Sequence, residues 1–304
     1  MKPRASRIAS FVVGALAALA TASWATPRGT WDQHMIDSPQ EEQAAGDFPL
    51  PSGASVQRDL AYGEHRLQRL DLYRPAKADG APLIVMVHGG AWRLGNKAVG
   101  RVVRNKVAHW VGKGYVFVSV DYRLLPEALP VEQARDVSRA LAFVQGKAQS
   151  WGADGSRIVL MGHSSGAHLV ALLSAAPDLA APARPWLATI SLDSAAFDLV
   201  EIMNGRHYAF YDMAFGRNPE DWRQASPTQR VKDALPMPLL AVCSSRRSDS
   251  CPQARGFAAK ATLLGGRVTV LPMDLSHVEI NATLGAPGPY TDEVDAFLRK
   301  LGLP

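Results

Sequence analysis

The chain has 304 residues, of which 47% are hydrophobic and 20% are charged, a composition typical of a globular protein with a sizeable core. Its formal net charge is +5. The Lys and Arg residues are scattered rather than clustered with aromatic residues, so we expect no nucleic-acid partner.

Residues 1–25 have the pattern of a secretory signal peptide. An apolar run follows a basic start and is too short for a stable bilayer anchor. Small residues at Ser23 and Ala25 fit the positions that a signal peptidase reads, although cleavage after Ala22 or an uncleaved N-terminal anchor are alternatives. The basic residues of this segment are Lys2, Arg4 and Arg7. We predict an exported protein, periplasmic or secreted, with no stable membrane anchor.

The chain after the signal begins with a segment of little periodicity. Residues 26–53 are rich in Pro, Gln, Glu and Gly, which predicts a loose N-terminal arm. From Ser55 to Tyr73, two runs alternate apolar and polar residues and are interrupted at Gly63-Glu64. This pattern predicts an antiparallel pair at the edge of a sheet.

From residue 82 onward, apolar strand patterns alternate with helical patterns. The predicted strands cover 82–87, 115–120, 157–161, 186–192, 238–243 and 267–271, and the predicted helices cover 102–111, 130–149, 167–176, 252–264 and 291–301. Alternation of this kind predicts an α/β fold with a mostly parallel sheet and helices on both faces. Reactive residues should then lie just after strands, because ligands bind at the carboxyl ends of such strands.

One connection is longer than a simple crossover. Residues 194–235 contain many aromatic residues and separate two predicted strands. We interpret this segment as a cap insertion that covers a pocket. A crossover helix with a surface loop is the alternative.

The residue types that support acyl transfer first appear at Gly162-His163-Ser164-Ser165-Gly166, which fits the motif G-x-S-x-G. A predicted strand precedes this motif and a predicted helix follows it. In that context the motif forms a sharp turn that exposes the serine hydroxyl, and its glycines allow strand and helix to approach closely. We predict Ser164 as a nucleophile, and an ordinary turn between strand and helix is the alternative.

A serine nucleophile needs a base, an acid and donors for the oxyanion. His277 follows the last predicted strand and is the predicted base. Asp249 follows the strand that ends at residue 243 and is the predicted acid, which gives the order Ser, Asp, His of α/β-hydrolases. Asp193 and Asp198, after the preceding strand, remain rivals for the acid.

Glycines after His88 predict the oxyanion site. Backbone N–H groups near Gly90 and Ala91, together with that of Ser165, are placed to hold a developing negative charge. We expect His88 to support this loop and His168 to pack locally on the first turn of the helix.

Cys243 and Cys251 are the two cysteines of the sequence. In an exported protein, a pair so close in sequence is a candidate disulfide. Two free thiols are the alternative.

These motifs together resemble the BD-FAE group of α/β-hydrolase fold serine esterases, which includes carboxylesterases and kynurenine formamidase-like enzymes. The resemblance covers roughly residues 55–301, and the segments that carry it are 88–92, 121–126, 162–169, 225–227 and those around Asp249 and His277. It implies hydrolysis of a small-molecule carboxylic ester or formamide without a metal or cofactor. Ser165 stands where this group often has Ala, and the acid loop lacks a common Gly. An arylformamidase-type amide hydrolase and a non-catalytic binding protein of the same fold remain alternatives, and the sequence gives no oligomeric state.

Overall fold

A computed structural model describes residues 48–304 of the chain. The predicted signal peptide and residues 26–47 of the predicted N-terminal arm lie outside the described residues. Among the described residues, no helix is long and apolar enough to cross a bilayer.

The central feature is one eight-stranded sheet, whose strands lie in the order β1-β2-β4-β3-β5-β6-β7-β8. The strands are β1 (Ser55–Ala61), β2 (Arg69–Arg74), β3 (Ala81–Val87), β4 (Val116–Val120), β5 (Ala153–His163), β6 (Ala188–Leu192), β7 (Leu239–Ser244) and β8 (Val268–Met273). Strand β2 pairs antiparallel with β1 and β4, and every later pair in the order is parallel. The predicted antiparallel pair at the sheet edge and the mostly parallel α/β fold are confirmed.

Helices occupy both faces of this sheet. They are α1 (Gly100–Lys106), α2 (Pro130–Lys147), α3 (Ser165–Ala175), α4 (Pro177–Ala180), α5 (Leu199–Asn204), α6 (Ala209–Phe215), α7 (Pro219–Ala225), α8 (Pro227–Arg230), α9 (Ser250–Leu263), α10 (His277–Ala282) and α11 (Pro289–Arg299). The helix predicted over 102–111 changes type within its length, because Val107–Val111 is π-helical. Pro130 fits the start of α2, because an N–H group in the first helical turn has no acceptor within the helix and its absence costs no helical hydrogen bond.

The strand β3 shows how the sheet is covered on both sides. Leu83, Val85 and Val87 pack in one apolar cluster with α2 and α3, whereas Ile84 and Met86 pack in a second cluster with α1 and α11. All five side chains are fully buried. Complete burial of such a side chain contributes about 1.5–3 kcal/mol, which explains why the run is continuously apolar rather than alternating.

Residues 194–235 form the four short helices α5 to α8 between β6 and β7. At three of these four helices, a side chain at the start accepts from a free N–H group of the first turn. Asp198 caps α5, Asn218 caps α7 and Ser226 caps α8. Phe210, Tyr211 and Phe215 of α6 pack around Trp92, which follows β3. We call α5 to α8 the helical insertion.

Candidate active site

Ser164 lies at the sharp turn between β5 and α3. Its backbone angles are φ 55° and ψ −120°, a strained conformation for a residue with a side chain. The turn requires glycine at both flanking positions, because a larger residue would collide with neighbouring backbone. A Cβ on Gly162 would lie 2.3 Å from the carbonyl oxygen of Gly166, and one on Gly166 would lie 2.4 Å from that of His88. The turn therefore has the geometry predicted for a nucleophile elbow.

His277 approaches Ser164 from the other end of the chain. Its Nε2 lies 2.9 Å from Ser164 Oγ, so the structure brings together the predicted nucleophile and base. His277 is the first residue of α10, and a capping box between Ser276 and Glu279 fixes the start of that helix.

His163 lies beneath His277. The Nε2–H of His163 donates to the carbonyl oxygen of His277 at 3.0 Å, and the two rings are 4.5 Å apart. Burial, with a smaller contribution from His277, lowers the pKa of His163 well below its usual value, so His163 is neutral near pH 7. This neutral ring supports the backbone of the predicted base without adding charge.

The acidic partner of His277 is Asp193 rather than the predicted Asp249. Asp193 follows β6 directly, and its Oδ2 lies 2.6 Å from His277 Nδ1. Asp249 lies further along the loop after β7, is more than a third exposed, and pairs with Arg247 at 3.1 Å. The physical reason is distance along the loop: Asp193 directly follows the last residue of β6, whereas four residues separate Asp249 from the end of β7. We therefore replace Asp249 with Asp193 as the acid that faces His277.

Two other aspartates, the rival Asp198 and Asp274 in the loop before His277, have different partners. Asp198 caps α5 and accepts from Gln229. Asp274 is exposed and pairs with Arg246. Neither residue has a hydrogen bond to His277 in the described part of the chain, and both are accounted for by local structure.

Asp193 is fully buried and accepts hydrogen bonds at both carboxylate oxygens. The N–H of Ser244 donates to Oδ1 at 2.7 Å, and the Ser250 hydroxyl donates to the same oxygen. Arg247 Nη1 shares Oδ2 with His277 at 2.8 Å. Burial alone would raise the pKa of Asp193, but hydrogen bonds and positive charge from His277 and Arg247 outweigh it and hold the pKa well below its usual value. Asp193 is therefore a carboxylate at neutral pH.

The loop after β3 lies beside Ser164 and has an unusual backbone. Gly90, Ala91 and Trp92 all have positive φ angles, of 128°, 50° and 61°. A Cβ on Gly90 would lie 2.1 Å from the carbonyl oxygen of Leu94, so no larger residue fits that turn. Ser165 is the first residue of α3, where an N–H has no acceptor within its helix. The three predicted oxyanion residues thus border the same space next to Ser164.

His88 and His168 both support this loop. The His88 ring stacks on Tyr122 at 4.6 Å, and its Nδ1 lies 2.7 Å from the Gly89 carbonyl oxygen. His168 does more than pack locally: its Nε2–H donates to the carbonyl oxygen of Ala225, and its Nδ1 accepts from Trp92 Nε1–H at 3.1 Å. Burial lowers the pKa of His168 to about 4, so the ring is neutral and joins the loop to the helical insertion.

Cys243 and Cys251 form the predicted disulfide. It closes the loop between the end of β7 and the start of α9, which carries Ser244, Arg247 and Ser250. All three residues donate to Asp193. The crosslinked loop therefore surrounds the carboxylate that faces His277.

A pocket of about 510 Å³ opens in front of Ser164, a size typical of small-molecule sites. Its lining includes the apolar residues Leu94, Val99, Val102, Leu125, Phe210 and Met213. Asp193 is the acidic residue of this lining, and the helical insertion contributes one wall. Within residues 48–304, no group of three or more His, Cys, Asp or Glu side chains is arranged to hold a metal ion.

The family comparison matches the centre of this architecture. Residues 70–188 fit the family model named BD-FAE. The matched region runs from β2 to the start of β6. It includes Ser164 and the Gly90 loop, whereas Asp193 and His277 lie beyond it.

Relatives of this chain include named esterases. Isoprenylcysteine alpha-carbonyl methylesterase ICME of Arabidopsis thaliana is 29% identical over 248 residues, which is 74% of this chain and 57% of the relative. Esterase LipC of Mycobacterium tuberculosis is 31% identical over 209 residues, 62% of this chain and 50% of LipC. The chain thus matches about half the length of these relatives.

Solved structures support the same fold. The apo form of Thermogutta terrifontis esterase 2 has a TM-score of 0.66 and 26% identity, covering 84% of this chain and 97% of that one. Esterase B from Lactobacillus rhamnosis, inhibited with a tributyrin phosphonate, has a TM-score of 0.70 and 20% identity over 90% of this chain and 92% of that one. The chain therefore has the α/β-hydrolase fold.

Proposed function

We propose that this protein hydrolyses carboxylic esters through an acyl-enzyme formed on Ser164. The observation that carries the proposal is the chain of contacts from Ser164 Oγ to His277 Nε2 and from His277 Nδ1 to Asp193 Oδ2, at 2.9 and 2.6 Å. A hydroxyl, an imidazole and a carboxylate in this order are the arrangement that activates serine. The esterase names of the relatives support the same class of reaction.

The protons can be followed through each step. Because Asp193 is ionised, His277 keeps its proton on Nδ1 and presents the Nε2 lone pair to Ser164. Ser164 Oγ bonds to the ester carbonyl carbon as its proton passes to Nε2. The tetrahedral intermediate then collapses, and the same proton leaves on the alcohol. Water then attacks the acyl-enzyme while Nε2 takes its proton. Nε2 returns that proton to Ser164 Oγ as the acid leaves.

The developing oxyanion would lie against backbone N–H groups of Ala91 and Ser165, beside Gly90. The positive φ angles of Gly90 and Ala91 orient this loop toward Ser164, and the start of α3 adds its helix dipole. Fixed donors of this kind favour the negative charge of the intermediate over the neutral ester.

The pocket favours esters with a small or aromatic acyl or alcohol group. Its walls are mostly apolar, and Phe210 and Tyr211 of the helical insertion are among the residues that line it. We expect turnover of short-chain and aromatic p-nitrophenyl esters to exceed that of long-chain ones. Adding an N-formyl aromatic amine to the same panel tests for formamide hydrolysis.

The decisive experiment replaces Ser164. Ser164→Ala should lower kcat for p-nitrophenyl acetate by about 10⁴-fold or more, and a fluorophosphonate should label the wild type but not the variant. The matched control is Ser150→Ala, at an exposed serine that is not among the residues lining the pocket, and it should keep full turnover. Retained hydrolysis in a folded Ser164→Ala protein would contradict the proposal. Absence of both turnover and labelling in the wild type would favour a non-catalytic binding protein.

We also propose that the protein is exported. The signal-like residues 1–25 and the Cys243–Cys251 disulfide support this location, because disulfides persist in oxidising compartments. Mass analysis of the mature N-terminus tests it, and an intact Met1 in a cytoplasmic fraction would contradict it.

A further inference from the structure

The charge arrangement around Asp193 differs from that of a simple acid and base pair. Arg247 Nη1 lies 2.8 Å from Asp193 Oδ2 and 2.9 Å from His277 Nδ1, so two donors converge on one carboxylate oxygen. The Arg247 side chain is largely buried. A buried cation beside the imidazole opposes protonation of His277, which is the event that the reaction requires.

Asp249 compensates for this cation. Its carboxylate accepts from Nη2 of Arg247 at 3.1 Å, whereas Nη1 of the same guanidinium lies beside His277. Burial alone would lower the pKa of Arg247, but the charges of Asp193 and Asp249 outweigh it and raise the pKa above its usual value. The positive charge of Arg247 cancels the charge of one carboxylate, so Asp193, Arg247 and Asp249 together carry one net negative charge. That charge is neutralised when His277 takes the proton from Ser164.

We propose that Asp249 is a positioning residue that acts through Arg247. By accepting from Nη2 of the guanidinium, Asp249 keeps Arg247 directed at Asp193 and restores the negative charge that favours a protonated His277. This inference rests on the proposed ester hydrolysis. It gives the loop after β7 a function even though Asp193 faces the base.

The other groups around His277 leave this charge balance unchanged. From β5, His163 is neutral, and from α6, burial raises the pKa of Tyr211 so that it stays protonated. Lys106 of α1 bonds to Asn281 on α10 rather than to the His277 ring. On the loop and helix of His277 itself, Asp274 and Glu279 both pair with Arg246 at the surface.

The test measures the pH dependence of kcat/KM for p-nitrophenyl acetate. The acidic limb of that profile reports protonation of the base in the free enzyme. Arg247→Met should move its midpoint up by about half to one pH unit, since the opposing cation is gone. Asp249→Asn should move it down by about half a unit and lower kcat by about tenfold. In the double variant the midpoint should return close to that of the wild type, because cation and anion are removed together.

Two further variants complete the design. Arg246→Gln is the matched control, since it removes a neighbouring cation that pairs only at the surface, and it should leave kcat and the midpoint unchanged. Arg247→Lys keeps the positive charge, so its midpoint should stay near the wild-type value. This variant still tests the role of the charge if Arg247→Met folds poorly. Thermal melting confirms that each variant is folded.

The outcomes separate this inference from the proposed function. If Asp249→Asn behaves like Arg246→Gln, the coupling through Arg247 is refuted while ester hydrolysis stands. If Asp249→Asn loses about 10⁴-fold in kcat, Asp249 is itself the acid and the inference is overturned. Failure of Ser164 labelling and of turnover in the wild type would instead refute the proposed function.

Discussion

Replacing Asp193 with Asn gives the sharpest test of the site geometry. In the structure all the contacts of this carboxylate are donors: Ser244 N–H and the Ser250 hydroxyl at Oδ1, and Arg247 and His277 Nδ1–H at Oδ2. An amide has one acceptor oxygen and one donor nitrogen. Whichever way it turns, its NH₂ group faces two existing donors.

The adjustable partner is His277. If the amide nitrogen faces Nδ1, the imidazole moves its proton to Nε2 and can no longer accept the proton of Ser164. If the amide oxygen faces Nδ1, the negative charge that stabilises the imidazolium is still lost. Both arrangements remove base catalysis, so we expect kcat to fall by about 10⁴-fold, roughly 5.5 kcal/mol of transition-state stabilisation.

The assay is p-nitrophenyl acetate turnover of Asp193→Asn beside Asp249→Asn. Fluorophosphonate labelling of Ser164 should slow in parallel with turnover, and thermal melting confirms that Asp193→Asn is folded. A loss of less than tenfold in a folded Asp193→Asn protein, with a larger loss in Asp249→Asn, would show that the acid assignment drawn from the structure is wrong.

Three further predictions follow from other parts of the structure. The double substitution Cys243→Ser and Cys251→Ser opens a short loop, so we expect chemical denaturation to show a loss of about 2.5 kcal/mol in unfolding free energy. Turnover should also fall, and unchanged turnover would show that the crosslink does not hold the loop around Asp193. Gly90→Ala places a Cβ 2.1 Å from the Leu94 carbonyl oxygen, so the loop must shift and kcat should fall about 10²-fold or more, whereas full activity would exclude this loop from the oxyanion site. Burial lowers the pKa of Lys106 to about 7. The unfolded chain therefore binds more protons than the folded one above that pH, and unfolding free energy should rise by up to about 1.4 kcal/mol per pH unit until about pH 10, a rise that Lys106→Met should abolish.

The sheet could be predicted because burial on two faces leaves a direct mark on composition. Strand β3 is a continuous apolar run, and the buried parts of the other parallel strands from β4 to β7 are mostly apolar. The predicted bounds differ from the observed ones by a few residues at most positions. The turn at Ser164 was also readable, since close approach of β5 and α3 requires Gly162 and Gly166.

The identity of the acid could not be predicted in the same way. Sequence position shows that Asp193 and Asp249 both follow strands, but β6 and β7 are neighbours, and only the fold shows which loop reaches His277. A usable signal existed: Asp193 follows its strand directly, as Ser164 follows β5, whereas Asp249 lies several residues further on. The role of Arg247 gave no sequence signal, because an arginine in a polar loop is usually exposed.

The helical insertion has a consequence for how this protein can change. Phe210 and Met213 form part of the pocket wall, yet neither contacts Ser164, His277 or Asp193 through a hydrogen bond among the described residues. Phe215, on the same helix, packs against Trp92 and His168 and holds the insertion in place. Under the proposed ester hydrolysis, substitutions at Met213, a largely exposed residue of this wall, should alter which esters fit while the groups that make and break bonds stay fixed. Selection, natural or in a mutant library, can then act on specificity and on reactivity separately.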